Sequence, residues 1–384
     1  MSKYKHDDYA SEFRARAAPW WERAVAFAAG KGPAPASPYQ AEVHLSSPES
    51  PVCRWRCVDC HGRFLRRRGG LTEGVYLQLL EDLISMGVPS VVYSGSYTDP
   101  STGVPPETLV RLLEIGGPRW GVKIHTYGTG LVGPVRNALL DASEAGPVDH
   151  SYATLSKHTC DPEVFDRMCK PHDPAETVLR SDEENMSALF EAAETRNSPI
   201  SLTLACRVTQ INGSPRHLAD LLRWFSETPS RVRLRFTTDY LPSRPSRSYE
   251  DHFWEKIYLA PAQAKARIDE AVFLSGFDRL DRIGFRGIWP ESHYEGSRCH
   301  HALLMAAVSA HGKLHACPPI ASPVYDHLAY GDLTVERFPE AWRRLMENYQ
   351  AFDPIKGTER GGCPHCVASC EKQLNDAISL EILK

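Results

Sequence analysis

Three cysteines stand close together, Cys53, Cys57 and Cys60, spaced C-x3-C-x2-C. Clustered thiolates hold either iron–sulfur clusters or zinc. Three of them hold three irons of a [4Fe–4S] cluster and leave the fourth iron without a protein ligand, where four cysteines would close it. The rival chemistry is a zinc knuckle, for which His61 would supply the fourth ligand. A second set sits near the other end: Cys299, Cys317, Cys363, Cys366 and Cys370. Four thiolates from that set suit a cluster or a structural zinc ribbon. Of the eleven cysteines, Cys160, Cys169 and Cys206 are scattered between the two groups.

The elements that must position these thiols follow from periodicity. Residues 1–30 read as a helix carrying Trp20, Trp21 and Phe27, and residues 31–38, KGPAPASP, as a linker. From Tyr39 the chain alternates strand-like and helix-like segments. Strands are expected near 39–45, 90–94, 121–127, 148–155, 200–209 and 231–240. Helices are expected near 72–86, 106–116, 134–145, 181–196, 214–227 and 261–275. Six βα units with short connections predict an α/β fold with a parallel sheet and helices outside. The first triplet then falls in the loop after the first strand. Farther on, His311-Gly312 between two apolar runs predicts a hairpin, with strands at 303–309 and 313–317 and Cys317 presented beside Cys299.

The triplet and its place after a first strand resemble the radical SAM superfamily. The resemblance implies a partial (β/α)6 TIM-like barrel, open on one side, with chemistry at the C-terminal ends of the strands. It implies that S-adenosylmethionine (SAM) chelates the open iron. An electron from an external reductant such as flavodoxin or ferredoxin then splits SAM into methionine and a 5′-deoxyadenosyl radical. One departure is Asp59, which stands where the family has an aromatic residue against the adenine, so stacking must come from elsewhere. A Gly-Gly-Glu-Pro-like stretch should follow the second strand and hold the SAM amino group. Here it reads Tyr93 to Pro100, with one glycine and no glutamate. Ser94, Gly95, Ser96 and Asp99 are the candidates, and an ordinary βα turn is the bland alternative.

The C-terminal cysteines resemble the twitch domain, the shortened form of the SPASM domain. That resemblance carries the ligand roles of an auxiliary [4Fe–4S] cluster onto Cys299, Cys317, Cys363 and Cys366. Cys370 is left as a spare thiol or a substitute ligand. Three regions follow: 1–38 as helical extension and linker, 39–290 as the barrel, and 291–384 as a small iron–sulfur domain.

Alternation along the strands separates two faces. Leu202, Leu204, Cys206 and Val208 should face the helices, and Ser201, Thr203, Ala205, Arg207 and Thr209 the lumen. Arg207 is thereby a candidate cofactor contact. Arg231, Arg233, Arg235, Thr237 and Asp239 share a face, as do Lys123, His125 and Tyr127. A lumen so lined suits a polar, hydroxyl-rich or carboxylate-bearing small molecule.

Charged residues make up 24%, hydrophobic residues 42%, and the net charge is −4. These values suit a globular protein and give no reason to expect nucleic-acid or membrane partners. The charged N-terminus has no signal-peptide pattern, and no run of 18 apolar residues occurs. The expectation is a cytoplasmic enzyme.

The single-cluster twitch pattern resembles the 2-deoxy-scyllo-inosamine dehydrogenases of aminoglycoside biosynthesis and related enzymes of sugars and cyclitols. It implies oxidation of an alcohol in natural-product (antibiotic) biosynthesis. An epimerase would instead need a thiol to return a hydrogen atom, with Cys160, Cys169 and Cys370 as candidates. Peptide modification and a zinc-stabilised binding protein are the remaining alternatives.

Overall fold

Short apolar strands and amphipathic helices assemble into one mostly parallel sheet in the computed structural model of the chain. The structure describes residues 9–49, 53, 55–58, 60, 69–95, 98–147, 151–238, 251–287, 298–353 and 369–383. Helices α1 (Tyr9–Arg16) and α2 (Ala18–Ala28) precede strand β1 (Gln40–His44). Then come α3 (Glu73–Ser85), β2 (Ser90–Ser94), α4 (Pro106–Trp120), β3 (Lys123–Thr126), α5 (Gly133–Ala145) and β4 (Tyr152–Ser156). Two helices, α6 (Pro162–Cys169) and α7 (Ala175–Thr195), lead to β5 (Ser201–Val208). Next are α8 (Pro215–Ser226), β6 (Arg233–Thr238), α9 (Pro261–Ser275) and β7 (Ile283–Arg286). The C-terminal part holds β8 (Met305–Val308), β9 (Lys313–His315), β10 (Gly331–Asp332), α10 (Phe338–Glu347) and α11 (Ser369–Ile382).

Strands β1 to β7 pair in sequence order, all parallel, as expected of a βα barrel wall. The expectation of six units falls one strand short: Ile283–Arg286 is too brief for its period to stand out, and pairs with β6 all the same. The sheet does not close. On the other side of β1 lies β8, parallel to it, and β9 and β10 continue antiparallel. The C-terminal hairpin therefore extends the barrel wall instead of standing apart from it.

The faces divide as the alternation predicts. Leu202, Leu204, Cys206 and Val208 on β5 are fully buried under the helices, while the intervening residues stay partly accessible. Arg231 is the exception on the β6 side. Its guanidinium donates to the Ala193, Ser198 and Ile200 carbonyls, so it clamps the end of α7 and does not line the lumen. Arg282 does similar work just before β7, donating to the Val232, Thr228 and Pro229 carbonyls.

The N-terminal helices are a packing element. Phe13, Ala17, Trp21 and Ala24 are buried, and Trp21 Nε1 donates to Glu381 of α11 at 3.1 Å. The linker is held too, since Trp342 Nε1 donates to the Pro35 carbonyl at 2.9 Å. Among the described residues no helix is long and apolar enough to cross a membrane.

One polar junction ties α10 to the barrel. Buried Asp82 on α3 accepts from Arg337 Nε at 3.0 Å and from the Phe338 backbone N–H at 3.2 Å, the first turn of α10. Asp82→Ala leaves those donors without their acceptor and is expected to lower the unfolding free energy by about 1–3 kcal/mol. Urea denaturation reads this, and an unchanged midpoint would mean that apolar packing alone holds the junction.

Candidate active site

The described residues of the cysteine loop after β1 form no helix or strand, so their backbone needs partners. It finds them at the end of α6. Arg56 N–H donates to the Cys169 carbonyl at 2.7 Å and Val58 N–H to the Met168 carbonyl at 2.8 Å. These carbonyls are the ones a helix C-terminus leaves unpaired. Helix α6 is set in place by Asp161, whose carboxylate accepts from Glu163 N at 2.8 Å and Val164 N at 3.0 Å.

Side chains repeat the connection. Trp55, inside the triplet, stacks on Tyr127 with ring centroids 4.5 Å apart and planes 17° from parallel. The Tyr127 hydroxyl lies 3.1 Å from Cys57 Sγ and 3.5 Å from Cys169 Sγ. Burial, with the nearby charges of Cys57 and Cys60, pushes the Cys53 thiol well up. The three sulfurs thus share one neighbourhood.

Among the described residues no three His, Cys, Asp or Glu side chains converge tightly enough to hold a single metal ion. A cluster asks less, because each thiolate takes its own iron. Cys53, Cys57 and Cys60 would supply one thiol to each of three irons. His61 lies outside the described residues.

After β2 the chain turns sharply. A Cβ on Gly95 would sit 2.0 Å from the Thr98 carbonyl oxygen, so only glycine fits. Ser94 is buried on the lumen side and hydrogen-bonds Glu42. Asp99 is placed differently from a ligand-facing carboxylate. It accepts from Ser101 N at 2.9 Å, Thr126 Oγ1 at 2.5 Å and Tyr127 N at 2.6 Å. Those bonds brace the turn against β3, and the carboxylate is committed to the protein's own donors. Ser96 lies outside the described residues.

On the facing lip, Asn212 Nδ2 donates to the His158 carbonyl at 2.9 Å and the Arg207 carbonyl at 2.8 Å, joining the ends of β4 and β5. Arg207 therefore stands one residue before the end of β5 at this lip, on its partly accessible face.

The two interior thiols part company. Cys169 is buried at the cysteine loop beside Tyr127. Cys160 sits beside Glu183 of α7 and Lys157, and burial pushes it up to about 12. Cys160, expected as a candidate hydrogen donor, is partly exposed in the turn before α6. Cys206 is fully buried, as its apolar face requires.

Between the strands lies a cavity of about 560 Å³ lined by Glu42, Lys123, His125, Tyr152, Arg235 and Arg286, among others. Glu42 is held below the usual carboxylate range: burial raises it, but His44, His125 and Ser94 outweigh that. Its Oε1 lies 3.3 Å from His44 Nε2. His125 is pushed down to about 4 by burial and by Arg235 and Arg286, against the pull of Glu42. Its Nε2 is 3.4 Å from the Tyr152 hydroxyl.

Sequence reasoning missed Glu42, His44 and Arg286. Their signal was alternation within β1 and β7, where Gln40, Glu42 and His44 share one face. It also missed α6, although Asp161-Pro162-Glu163 is a legible helix start.

At the other cysteine set, Cys299 and Cys317 are both buried. Cys299 packs with Ala302 and Ala316, next to Cys317, and His301 Nδ1 lies 3.0 Å from the Ala316 carbonyl. Cys363 and Cys366 lie outside the described residues, as does the side chain of Cys370.

The fold is similar to solved structures of SuiB from Streptococcus suis. Bound to S-adenosylmethionine, that protein is 13% identical over 80% of this chain and 66% of its own, with a TM-score of 0.53. Bound to its precursor peptide SuiA, it is 12% identical over 89% of this chain and 76% of its own, with a TM-score of 0.55. AnSMEcpe with bound AdoMet is 15% identical over 82% of each chain, with a TM-score of 0.52. The chain has the radical SAM partial-barrel fold. No family model matches it, and no curated protein matches it.

In this fold the Tyr127 hydroxyl, just past the end of β3, is a side-chain contact of Cys57. Should Cys57 hold an iron, as proposed below, Tyr127→Phe is expected to leave iron loading of the reconstituted protein intact and to move its reduction potential downward. A hydrogen bond to a ligating sulfur stabilises the reduced state. Redox titration followed by electron paramagnetic resonance (EPR) measures it, and an unchanged potential would mean that the hydroxyl serves Cys169 instead.

Proposed function

We propose that the protein is a radical SAM enzyme that removes a C–H hydrogen from a polar small molecule and oxidises an alcohol of a sugar or aminocyclitol. The observation carrying this reading is the Cys53–Cys57–Cys60 loop, pinned to α6 and touched by Tyr127 at the C-terminal strand ends of this fold. Cys53, Cys57 and Cys60 would hold three irons, with Ser94, the close-turning Gly95 and Arg207 around the SAM. A cluster held there would supply the electron that splits SAM, the source of the radical that would remove the substrate hydrogen.

The chain's own residues do the rest. The lumen orients the substrate beneath the cysteine loop. Oxidation of an alcohol also releases the hydroxyl proton, and Glu42, held ionised by its partners, can accept it. Cys299 and Cys317, with Cys363 and Cys366, would hold an auxiliary cluster that serves as acceptor for the second electron. Epimerisation is the second reading. It is favoured by one observation, that Cys169 lies at the cysteine loop and could return a hydrogen atom.

Incubation with SAM, reductant and candidate sugars or cyclitols separates the readings by product mass. A loss of two mass units accompanies oxidation; unchanged mass with altered stereochemistry accompanies epimerisation. Under the oxidation reading Cys317→Ala continues to release some 5′-deoxyadenosine while ketone formation falls much further. A variant that loses both together with its fold would remove the acceptor role. Peptide substrates belong in the same screen, because SuiB binds a precursor peptide, and turnover of peptides alone would overturn the small-molecule reading.

A further inference from the structure

The cysteine loop also borders a surface groove, and no residue lining that groove lines the lumen cavity. Arg56 and Val58 of the loop form part of it. One wall is the end of α6, with Arg167 and Lys170. The other is the π-helical turn Phe253–Ile257, with Lys256. That turn is tied to the lip after β5. Gln210 N–H donates to the Ile257 carbonyl at 2.9 Å, and Gln210 Nε2 to the Tyr258 carbonyl at 2.8 Å. All four cations are exposed.

Their charge is not spent within the chain. Among the described residues, none of Arg56, Arg167, Lys170 and Lys256 has a carboxylate within ion-pair distance. Many surface cations elsewhere do: Arg196 has Asp141 and Glu144, Arg223 has Asp220, and Arg344 has Glu336. The acids lining the groove are Asp166 and Glu255, so four cations face two carboxylates in a chain of net charge −4. Asp173 and Asp251, next in sequence to the lining His172 and His252, do not line it. The sequence of the loop leans the same way, since Cys53 to Gly69 contains six arginines and one acid, Asp59. A helix C-terminus favours cations, which accounts for Arg167 and Lys170. It does not account for Arg56 or Lys256, which stand on other elements.

We propose that Arg56, Arg167, Lys170 and Lys256 form the docking face for an acidic one-electron-donor protein. That the partner delivers an electron rests on the radical SAM reading; that this face takes an acidic protein does not. The cations stand on exposed side chains, which suits the surface of a macromolecule better than an enclosed small ligand. Redox encounters bury little area and lean on complementary charge. Trp254, 39% exposed on the same π-helical turn, adds an aromatic contact of the kind interfaces favour. The position suits the chemistry as well, because Arg56 and Val58 flank Cys57 in the chain. In the transfer, one electron leaves the reduced flavin or iron–sulfur centre of the partner. It enters the cluster proposed on Cys53, Cys57 and Cys60, and no bond is made or broken.

Stopped-flow reduction of the reconstituted full-length chain by an acidic flavodoxin, itself reduced beforehand, tests this, with dithionite as the small-molecule comparison. The flavodoxin rate is expected to fall steeply between about 0.05 M and about 0.5 M salt, as exposed charges are screened. Arg167→Glu and Lys256→Glu together should slow it about tenfold at the lower salt and little at the higher. Lys31→Glu, the same kind of change on the linker after α2, should leave it unaltered. Dithionite should reduce every variant at the wild-type rate. Thermal unfolding checks the fold, and Lys170→Glu stands in for either groove variant that does not fold. A flavodoxin rate indifferent to salt, or unaltered in the folded groove variants, overturns the docking face. So does equal slowing with dithionite, because the charge change would then act on the cluster itself. Calorimetric titration of the same chain with oxidised flavodoxin and with a random DNA duplex reads binding alone. Flavodoxin binding weakened by the groove variants is expected, and preference for the duplex overturns the proposal. The same samples are assayed for 5′-deoxyadenosine. Groove-dependent flavodoxin binding without SAM cleavage by either reductant sinks the radical reading alone. SAM cleavage with dithionite, and no groove dependence with flavodoxin, sinks the docking face alone.

Discussion

Two backbone hydrogen bonds, from Arg56 and Val58 to the last carbonyls of α6, are the constraint on which the site depends. A loop that must present three thiols at one point cannot satisfy its own amides in a regular element. A helix C-terminus has the opposite deficit, carbonyls without donors. Joining them solves both and fixes the cysteines relative to β4, because α6 begins a few residues beyond that strand. The Trp55–Tyr127 stack then ties the same loop to the end of β3. Asp99 ties the turn after β2 to the same place, through Thr126 and the Tyr127 amide. Three strand ends therefore meet at the cysteine loop.

The lumen shows a second economy. Strands β5 and β6 present mostly polar residues inward at alternate positions and mostly apolar ones outward. The outer face packs under the helices to near-zero exposure. The inner face keeps Glu42, His125, Tyr152 and Lys123 largely out of water, beside a cavity they do not fill. A barrel interior built for stability alone would be filled with branched aliphatics. Polar groups held around open space are more easily understood as a binding surface.

Much of this was legible in the sequence where the signal was periodic and local. Strand β2 and helix α9 fall on their expected residues, because turn residues bound each run. The lumen face of β3, Lys123 and His125, follows from alternation alone, with Tyr127 just past the strand end. What escaped was set by tertiary partners. Arg231 shares a parity with Arg233, but it stands before the strand begins and reaches helix carbonyls instead of the lumen. Cys160 was only a loop thiol in the sequence, and the fold of that loop turns it toward α7. Asp99 reads as a free carboxylate until its donors from β3 are seen. The partnership of β8 with β1 joins residues more than 260 positions apart, and no local pattern encodes it.

The account's central claim is that Cys53, Cys57 and Cys60 build a cluster with an iron open to SAM. EPR of the anaerobically reconstituted and reduced chain, recorded with and without SAM alongside a count of 5′-deoxyadenosine, tests it most directly. The account predicts a cluster signal that changes when SAM is added, with 5′-deoxyadenosine released, and neither in Cys57→Ala. Stoichiometric zinc in place of iron, or a Cys57→Ala variant that releases 5′-deoxyadenosine at the normal rate, would contradict it.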